Sequence, residues 1–357
     1  MASLLDDLKR FSGRRVLITG HTGFKGSWLS LLMLQAGAKV CGVALPPATD
    51  PSHWSLLKLS DEVESHERDI RDFAGLESVL RSFKPEVVFH LAAQALVRAS
   101  YRDPHGTFST NVQGSTNLLE AVSGQPSVRT LVFITSDKCY KNKEQMRGYT
   151  ETDELGGVDP YSASKAAAEL VFSGYMQSAF HNPDSARAAS ARAGNVVGGG
   201  DWSPDRLIPD CIRSATGSRV ITLRFPEATR PWQHVLEPLS GYVRLAVALE
   251  EQQFPQGGSW NFGPPEDSVH QVREVTEIIA RRWDHPLNIN VERVSANFHE
   301  AGLLQLNSDK ARQLLGWRPR WTFQETIERT TDWYRRFYSG SDARELSLAD
   351  IAAYCQA

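Results

Sequence analysis

The sequence predicts an α/β protein, with a doubly wound parallel sheet followed by a smaller, mixed C-terminal lobe. Three observations predict it. Short apolar runs rich in β-branched residues alternate with longer helical patterns through the first half of the chain. Such uninterrupted runs suit strands buried on both faces, and hence a parallel sheet covered by helices. A glycine-rich turn joins the first run to the first helix, and after about Asn195 prolines and glycines break the texture into shorter pieces.

Taken in order, residues 15–19 form the expected first strand and 25–36 the first helix. Residues 39–43 make the second strand. Two more lie at 86–90 and 130–135, with helices over 73–83 and 106–122 between them. Beyond Asn195, Gly198-Gly-Gly200, Trp202, Pro204, Pro209, Pro226 and Pro231 interrupt the alternation. Residues 234–250 return as a strand end and helix, and 259–262 as a late strand. The first domain is therefore expected over 1–195 plus about 234–263. The second lobe takes about 196–233 and 264–340, with helices dominating from Val269 onward, and 341–357 is a short polar tail. With no repeat or flexible linker, the lobes are expected to share a tight cleft, where such folds place ligands.

Composition narrows the classes of function. A chain of 357 residues, 41% hydrophobic and 23% charged, has the make-up of an ordinary globular protein. A formal net charge of -3 provides no field to draw nucleic acid or a membrane surface. Any bound phosphate then needs local basic residues and backbone N–H groups. No stretch approaches the roughly 18 apolar residues that span a bilayer. The first fifteen residues carry Asp6, Asp7 and Lys9 and lack the apolar core of a secretory leader. Cys41, Cys139, Cys211 and Cys355 form no CxxC pair and have no histidine at ligand spacing. They are expected as inert thiols in a reducing cytoplasm, with no metal site.

The turn Gly20-His-Thr-Gly-Phe-Lys-Gly26 follows the first strand and opens a helix. Glycines there let the backbone approach a pyrophosphate at the helix N-terminus, where N–H groups and the helix dipole favour an anion. Dinucleotide binding follows from that context, although the spacing is GxxGxxG rather than GxGxxG. Lys25, inside the turn, either touches the cofactor phosphates or faces solvent. The acidic residue usual at the tip of the second strand is missing; Asp50 sits in a proline-rich loop, so the ribose anchor stays open. No Arg or Lys between Cys41 and His53 offers to receive a 2′-phosphate, which favours NAD over NADP. Asp69 and Ile70, in Asp69-Ile-Arg-Asp72, stand where an adenine-side segment would follow a third strand.

Asp159-Pro-Tyr-Ser-Ala-Ser-Lys165 starts a helix, with Pro160 in its first turn. Tyr161 and Lys165 are then i and i+4 on one face. A phenol titrates near 10 and is a poor base at neutral pH; a neighbouring ammonium and a cationic nicotinamide both favour its phenolate. Some 25 residues upstream a strand ends in Thr135-Ser-Asp137.

On Gly20/Gly23/Gly26, Asp69, Leu91-Ala-Ala-Gln94, Asn111, Ser136 and Tyr161/Lys165, the chain resembles the extended short-chain dehydrogenase/reductases, of Rossmann type. Within them it is similar to the nucleotide-sugar 4,6-dehydratases, over nearly its whole length. Gly20 to Trp28, Ile134 to Tyr140, Arg192 to Trp202, Asp205 to Pro209 and Arg230 to Pro238 resemble in particular the branch that acts on CDP-glucose. The resemblance implies a cofactor site of Gly20, Gly23, Phe24, Lys25, Gly26, Asp69, Ile70, Leu91, Ala92, Ala93, Asn111, Tyr161 and Lys165, holding NAD.

The implied reaction converts CDP-D-glucose to the 4-keto-6-deoxy sugar and water, in deoxysugar biosynthesis for surface polysaccharide. Tyr161 takes the 4-hydroxyl proton while hydride passes from C4 to NAD; the C5 proton is lost, the C6 hydroxyl leaves, and hydride returns to C6. Ser136 would help hold the 4-oxygen. Asp137 would be the acid, which calls for burial or a nearby negative group to keep its proton. Where the TDP-glucose and GDP-mannose enzymes carry Glu as the C5 base, this chain has Lys138. Lys138 either acts as that base, once desolvation and neighbouring positive charge neutralise it, or stays charged and stabilises the enolate. Arg206 and Arg230 are candidates for the substrate pyrophosphate, as Arg suits bidentate phosphate contact. Asn195 and Asn261 are possible hydrogen-bonding partners, Arg98 in Val97-Arg-Ala-Ser100 lines the sugar pocket, and His299-Glu300 resembles a substrate-side element. The family pairs through two helices per subunit, here 106–122 and 161–179, implying a homodimer, with a tetramer possible. A 4-epimerase needs the Tyr/Lys pair but no elimination acid and base. A non-catalytic dinucleotide sensor typically loses the Tyr or the Lys.

Overall fold

A computed structural model describes residues 3–182, 184–217, 219–223, 225–265, 269–291 and 304–357. Strands β1 (Arg15–Thr19), β2 (Lys39–Ala44), β3 (Glu64–Glu67), β4 (Val87–His90), β5 (Thr130–Ile134) and β6 (Arg187–Arg192) join the late strand Ser259–Asn261 in one seven-stranded sheet. Its order is Ser259–Asn261, β6, β5, β4, β1, β2, β3, with every neighbour parallel. Strand order reverses between β1 and β4, the crevice where doubly wound sheets bind ligands.

Alternation along β1 splits the core into two layers. Val16 and Ile18 point to one face, under the helices Phe24–Gln35 and Leu236–Glu250. Leu17 points to the other, with Leu76, Leu118 and Phe172 from the helices Phe73–Phe83, Gly114–Ser123 and Pro160–Gln177. β3 (Glu-Ser-His-Glu) is polar because it lies at the sheet edge. Its register brings ligand atoms of Cys41, Glu64 and His66 within 4.8 Å, although no histidine lies near Cys41 in sequence. His66 is already paired with Glu64 at 2.9 Å.

Several expectations change: Arg187–Arg192 forms β6 although the sequence reading gives no strand there, and Val269–Gln271 and Asn288–Val291 are short strands in the stretch read as mainly helical. The helix expected over 106–122 starts at Pro104, capped by Asp103, and passes through a widened π-type turn at Ser109–Gln113 before Gly114–Ser123. The tail expected over 341–357 is instead the helix Ala343–Gln356, capped by Asp342, which buries Leu346, Ile351 and Tyr354. Tyr354 donates to the buried Glu237 carboxylate at 2.6 Å, and Ser347 Oγ meets His53 at 3.0 Å, so this segment is packed against the sheet's helices. Among the described residues no helix is long and apolar enough to cross a membrane.

Candidate active site

A cavity of about 1650 Å³ opens over the carboxyl ends of the strands. It gathers side chains from distant parts of the sequence because each parallel strand delivers its loop to the same edge of the sheet. Gly20, Gly23, Phe24, Lys25, Gly26, Asp69, Ile70, Leu91, Ala92 and Ala93 line one region of it. Ser136, Asp137, Lys138, Tyr161, Lys165, Arg98, Asn195, Arg206 and Arg230 line the rest.

The glycine turn is built as its chemistry requires. Gly20 has φ +75°, and a Cβ there would lie 2.8 Å from the backbone nitrogen of Ala92. A Cβ on Gly26 would lie 2.0 Å from the Gly20 carbonyl oxygen. The helix Phe24–Gln35 has Gly23 at its N-cap with no side chain capping its first N–H groups. A 12-residue helix with an uncapped start facing a cavity is a place for an anion. No carboxylate stands at the tip of β2, and Asp50 is not among the cavity residues. Thr22 instead donates to the Leu45 carbonyl at 2.8 Å, and Arg68, at the end of β3, lines this region with Asp72 3.6 Å away. Asp69 is committed to Arg71, whose N–H and guanidinium it accepts, and this holds its carboxyl below the usual range.

Lys25 turns into the cavity rather than to bulk solvent. Burial pushes its ammonium down to about 7, helped by the charges of Arg206 and Lys165 and opposed by Asp137. Its Nζ lies 6.0 Å from the Tyr242 ring centre.

The helix Pro160–Gln177 begins where Asp159 accepts from the Ser162 N–H at 2.9 Å, and the Tyr161 N–H donates to Ser100 Oγ at 3.2 Å. These contacts fix the start of the helix that carries Tyr161 and Lys165. Burial pushes the Tyr161 phenol up to about 12, opposed by its hydrogen bond with Ser136. Burial pushes Lys165 down to about 8, opposed by Cys139 and Glu169. Ser136 Oγ donates to Asp137 at 2.9 Å, and Asp137 is buried against Gly194, where a Cβ would lie 1.9 Å from its carboxylate. Lys138 is half-buried beside them.

Two expected site residues are not brought to the cavity. Asn111 is buried at the π-type turn, where its side chain accepts from Gln94 N–H at 2.8 Å and donates to the Gln94 carbonyl and Ser164 Oγ. It positions the loop after β4 rather than facing a ligand. Asn261 is fully used by Tyr140 Oη at 2.8 Å and by the carbonyls of Tyr149 and Asn307. His299 and Glu300 lie outside the described residues. The acidic partners of two arginines have no signal in the sequence: Arg98 meets Asp205, also in the cavity lining, at 2.7 Å, and Arg206 meets Asp201 at 3.0 Å. Asp205 carries φ 61°, an uncommon backbone for a non-glycine residue.

A family model for GDP-mannose 4,6 dehydratases matches residues 17–330. The chain belongs to the GDP-mannose 4,6 dehydratase family. It is 46% identical to a CDP-glucose 4,6-dehydratase of Salmonella typhimurium, over 98% of this chain and 99% of that one. It is 27% identical to a dTDP-glucose 4,6-dehydratase of Xanthomonas campestris pv. campestris, over 89% of this chain and 92% of the relative. The Thermus thermophilus UDP-glucose 4-epimerase, solved with NAD, superposes with a TM-score of 0.75 at 29% identity, covering 90% of this chain and 99% of that one. A Bacillus anthracis dTDP-glucose 4,6-dehydratase superposes with a TM-score of 0.76 at 24% identity, over 91% and 97%, and shows the shared fold.

Proposed function

We propose that this chain is a CDP-glucose 4,6-dehydratase, forming the 4-keto-6-deoxy sugar and water. The observation that carries the reading is the convergence of Ser136, Asp137 and Lys138 with Tyr161 and Lys165 on one cavity. A 4-epimerase needs Tyr161 and Lys165 but no acid and base for an elimination, the roles left to Asp137 and Lys138. The near-full-length similarity to a CDP-glucose enzyme supports the choice of nucleotide. Incubation with CDP-, TDP- and GDP-glucose tests it: the 4-keto product is expected from the CDP sugar, and turnover of the TDP sugar alone would overturn the reading.

The glycine turn fits NAD, since its close backbone approach and uncapped helix start suit a pyrophosphate. NAD, when bound, supplies the acceptor and later the donor of one hydride. Tyr161 takes the proton of the sugar 4-hydroxyl, with Lys165 favouring its phenolate and Ser136 steadying the oxygen. Lys138 removes the C5 proton, which the C4 ketone makes acidic, and Asp137 protonates the departing C6 oxygen. Arg206 and Arg230 hold the substrate diphosphate, Arg98 lines the sugar pocket, and Asn195 hydrogen-bonds on the same side. Homodimerisation through the helices spanning 104–123 and 160–177 is supported by Leu170, 63% exposed on the latter; sedimentation distinguishes a dimer from a tetramer. The free thiols of all four cysteines suit a cytoplasmic enzyme.

Gly26→Ala is expected to lose NAD affinity by at least about tenfold, roughly 1.4 kcal/mol, because the added methyl meets backbone rather than a movable side chain. Calorimetric titration with NAD, beside a thermal melt, measures it. The pH profile offers a second check. Lys165 is charged below about 8 and neutral above it. The kcat/KM profile, which reports the free enzyme, should therefore fall on its alkaline side near that value; a profile flat to about pH 10, the range of an ordinary lysine, would count against a required ammonium.

A further inference from the structure

Behind the cavity lies an ion pair that none of the roles above uses. Glu169 and Arg192 are 3% and 2% exposed. The guanidinium meets the carboxylate through two donors, Nε to Oε1 at 2.9 Å and Nη2 to Oε2 at 2.8 Å. Thr135 Oγ1 also donates to Oε1, and Ser190 Oγ to Oε2 at 2.8 Å. Burial works to raise the Glu169 carboxyl, but Arg192, Thr135 and Ser190 overcome it and hold it below its ordinary value. Such a pair contributes little net stability, because desolvating two charges offsets their attraction. Its connections explain it better.

Glu169 stands one turn beyond Lys165 and two beyond Tyr161 on the helix Pro160–Gln177. Thr135, bound to it, directly precedes Ser136. Arg192 Nη1 donates to Tyr140 Oη at 2.7 Å, and its guanidinium lies 4.9 Å from the Tyr140 ring centre. The segment 136–139 is therefore tied at both ends, through Thr135 and Tyr140, to one ion pair rooted in the helix of Tyr161 and Lys165.

We propose that Glu169 and Arg192 are positioning residues that hold Ser136, Asp137 and Lys138 in register with Tyr161 and Lys165, and so couple oxidation at C4 to elimination across C5 and C6. This rests on the dehydratase reading. Misplacement by about 1 Å can cost on the order of a hundredfold in rate, and the elimination step depends most on the tethered segment. Oxidation at C4 needs chiefly the helix pair.

Glu169→Asp keeps the charge and shortens the reach; Thr135→Val keeps the ion pair and removes one tie. In both, amide hydrogen exchange over 136–139 should quicken by about tenfold, with the melting temperature and exchange in the flanking strands little changed. With CDP-glucose, the reduced cofactor, seen by its near-ultraviolet absorbance, should accumulate while formation of the 4-keto-6-deoxy product falls by about tenfold or more. Unchanged exchange over 136–139 in folded variants overturns the proposal, whatever the substrate proves to be. An equal loss of both partial reactions also overturns it, and assigns the pair a structural role only. Failure of the unmodified enzyme to act on CDP-glucose counts against the dehydratase reading, and the exchange measurement still decides the tether. If Glu169→Asp does not fold, Thr135→Val carries the same comparison without disturbing a buried charge.

Discussion

Tyr161→Phe should abolish oxidation at C4, lowering turnover about a thousandfold or more, or roughly 4 kcal/mol in the barrier, while CDP-glucose still binds. The substitution removes one oxygen and leaves the ring in its buried place, so the helix and its Ser100 contact persist. Burial pushes the phenol up to about 12, and in the proposed reaction Lys165 and the cationic nicotinamide would favour its phenolate. Single-turnover absorbance of the reduced cofactor, with an equilibrium binding titration, separates the two effects. Turnover within about tenfold of the unmodified enzyme, roughly 1.4 kcal/mol, would move the C4 base to another residue.

Lys138→Ala should have the second largest effect, and at a different step. Oxidation at C4 should survive, while exchange of the C5 hydrogen with solvent falls by a factor of about 10² to 10⁴. Incubation in deuterated water with mass analysis of recovered sugar measures it. Undiminished exchange would leave Lys138 as a charge beside the enolate and direct the search for a base to Lys25. That lysine lines the same cavity, with its ammonium pushed down to about 7 by burial.

The legible parts of this protein are those encoded over short distances. The glycine turn can be read because a strand, three glycines and a helix follow one another closely in the chain. Tyr161 and Lys165 can be read because residues four apart share one helix face, and Asp159-Pro160 marks where that helix starts. The C-terminal helix is harder to read although its pattern is present: Leu346, Ile351 and Tyr354 lie buried along it behind the cap Asp342. The polar run 339–345 gives its start the look of a tail.

Other features have no local signal. Asn261 sits in a segment suggesting a ligand contact, yet Tyr140 and Tyr149, far earlier in the chain, and Asn307, well after it, take up its whole amide. Asn111 likewise serves Gln94 and Ser164. The Glu169–Arg192 pair joins a helix to a strand through a sheet register that no spacing rule contains.

Residue order alone was enough for the parallel-sheet class, the glycine turn and the helix that carries Tyr161 and Lys165, because strand composition, helix period and turn chemistry are local. Which side chains face the cavity, and which are consumed in holding it, was settled only when the chain folded. Burial makes that division, since a polar group taken out of water must find a partner, and the partner comes from wherever the fold brings one.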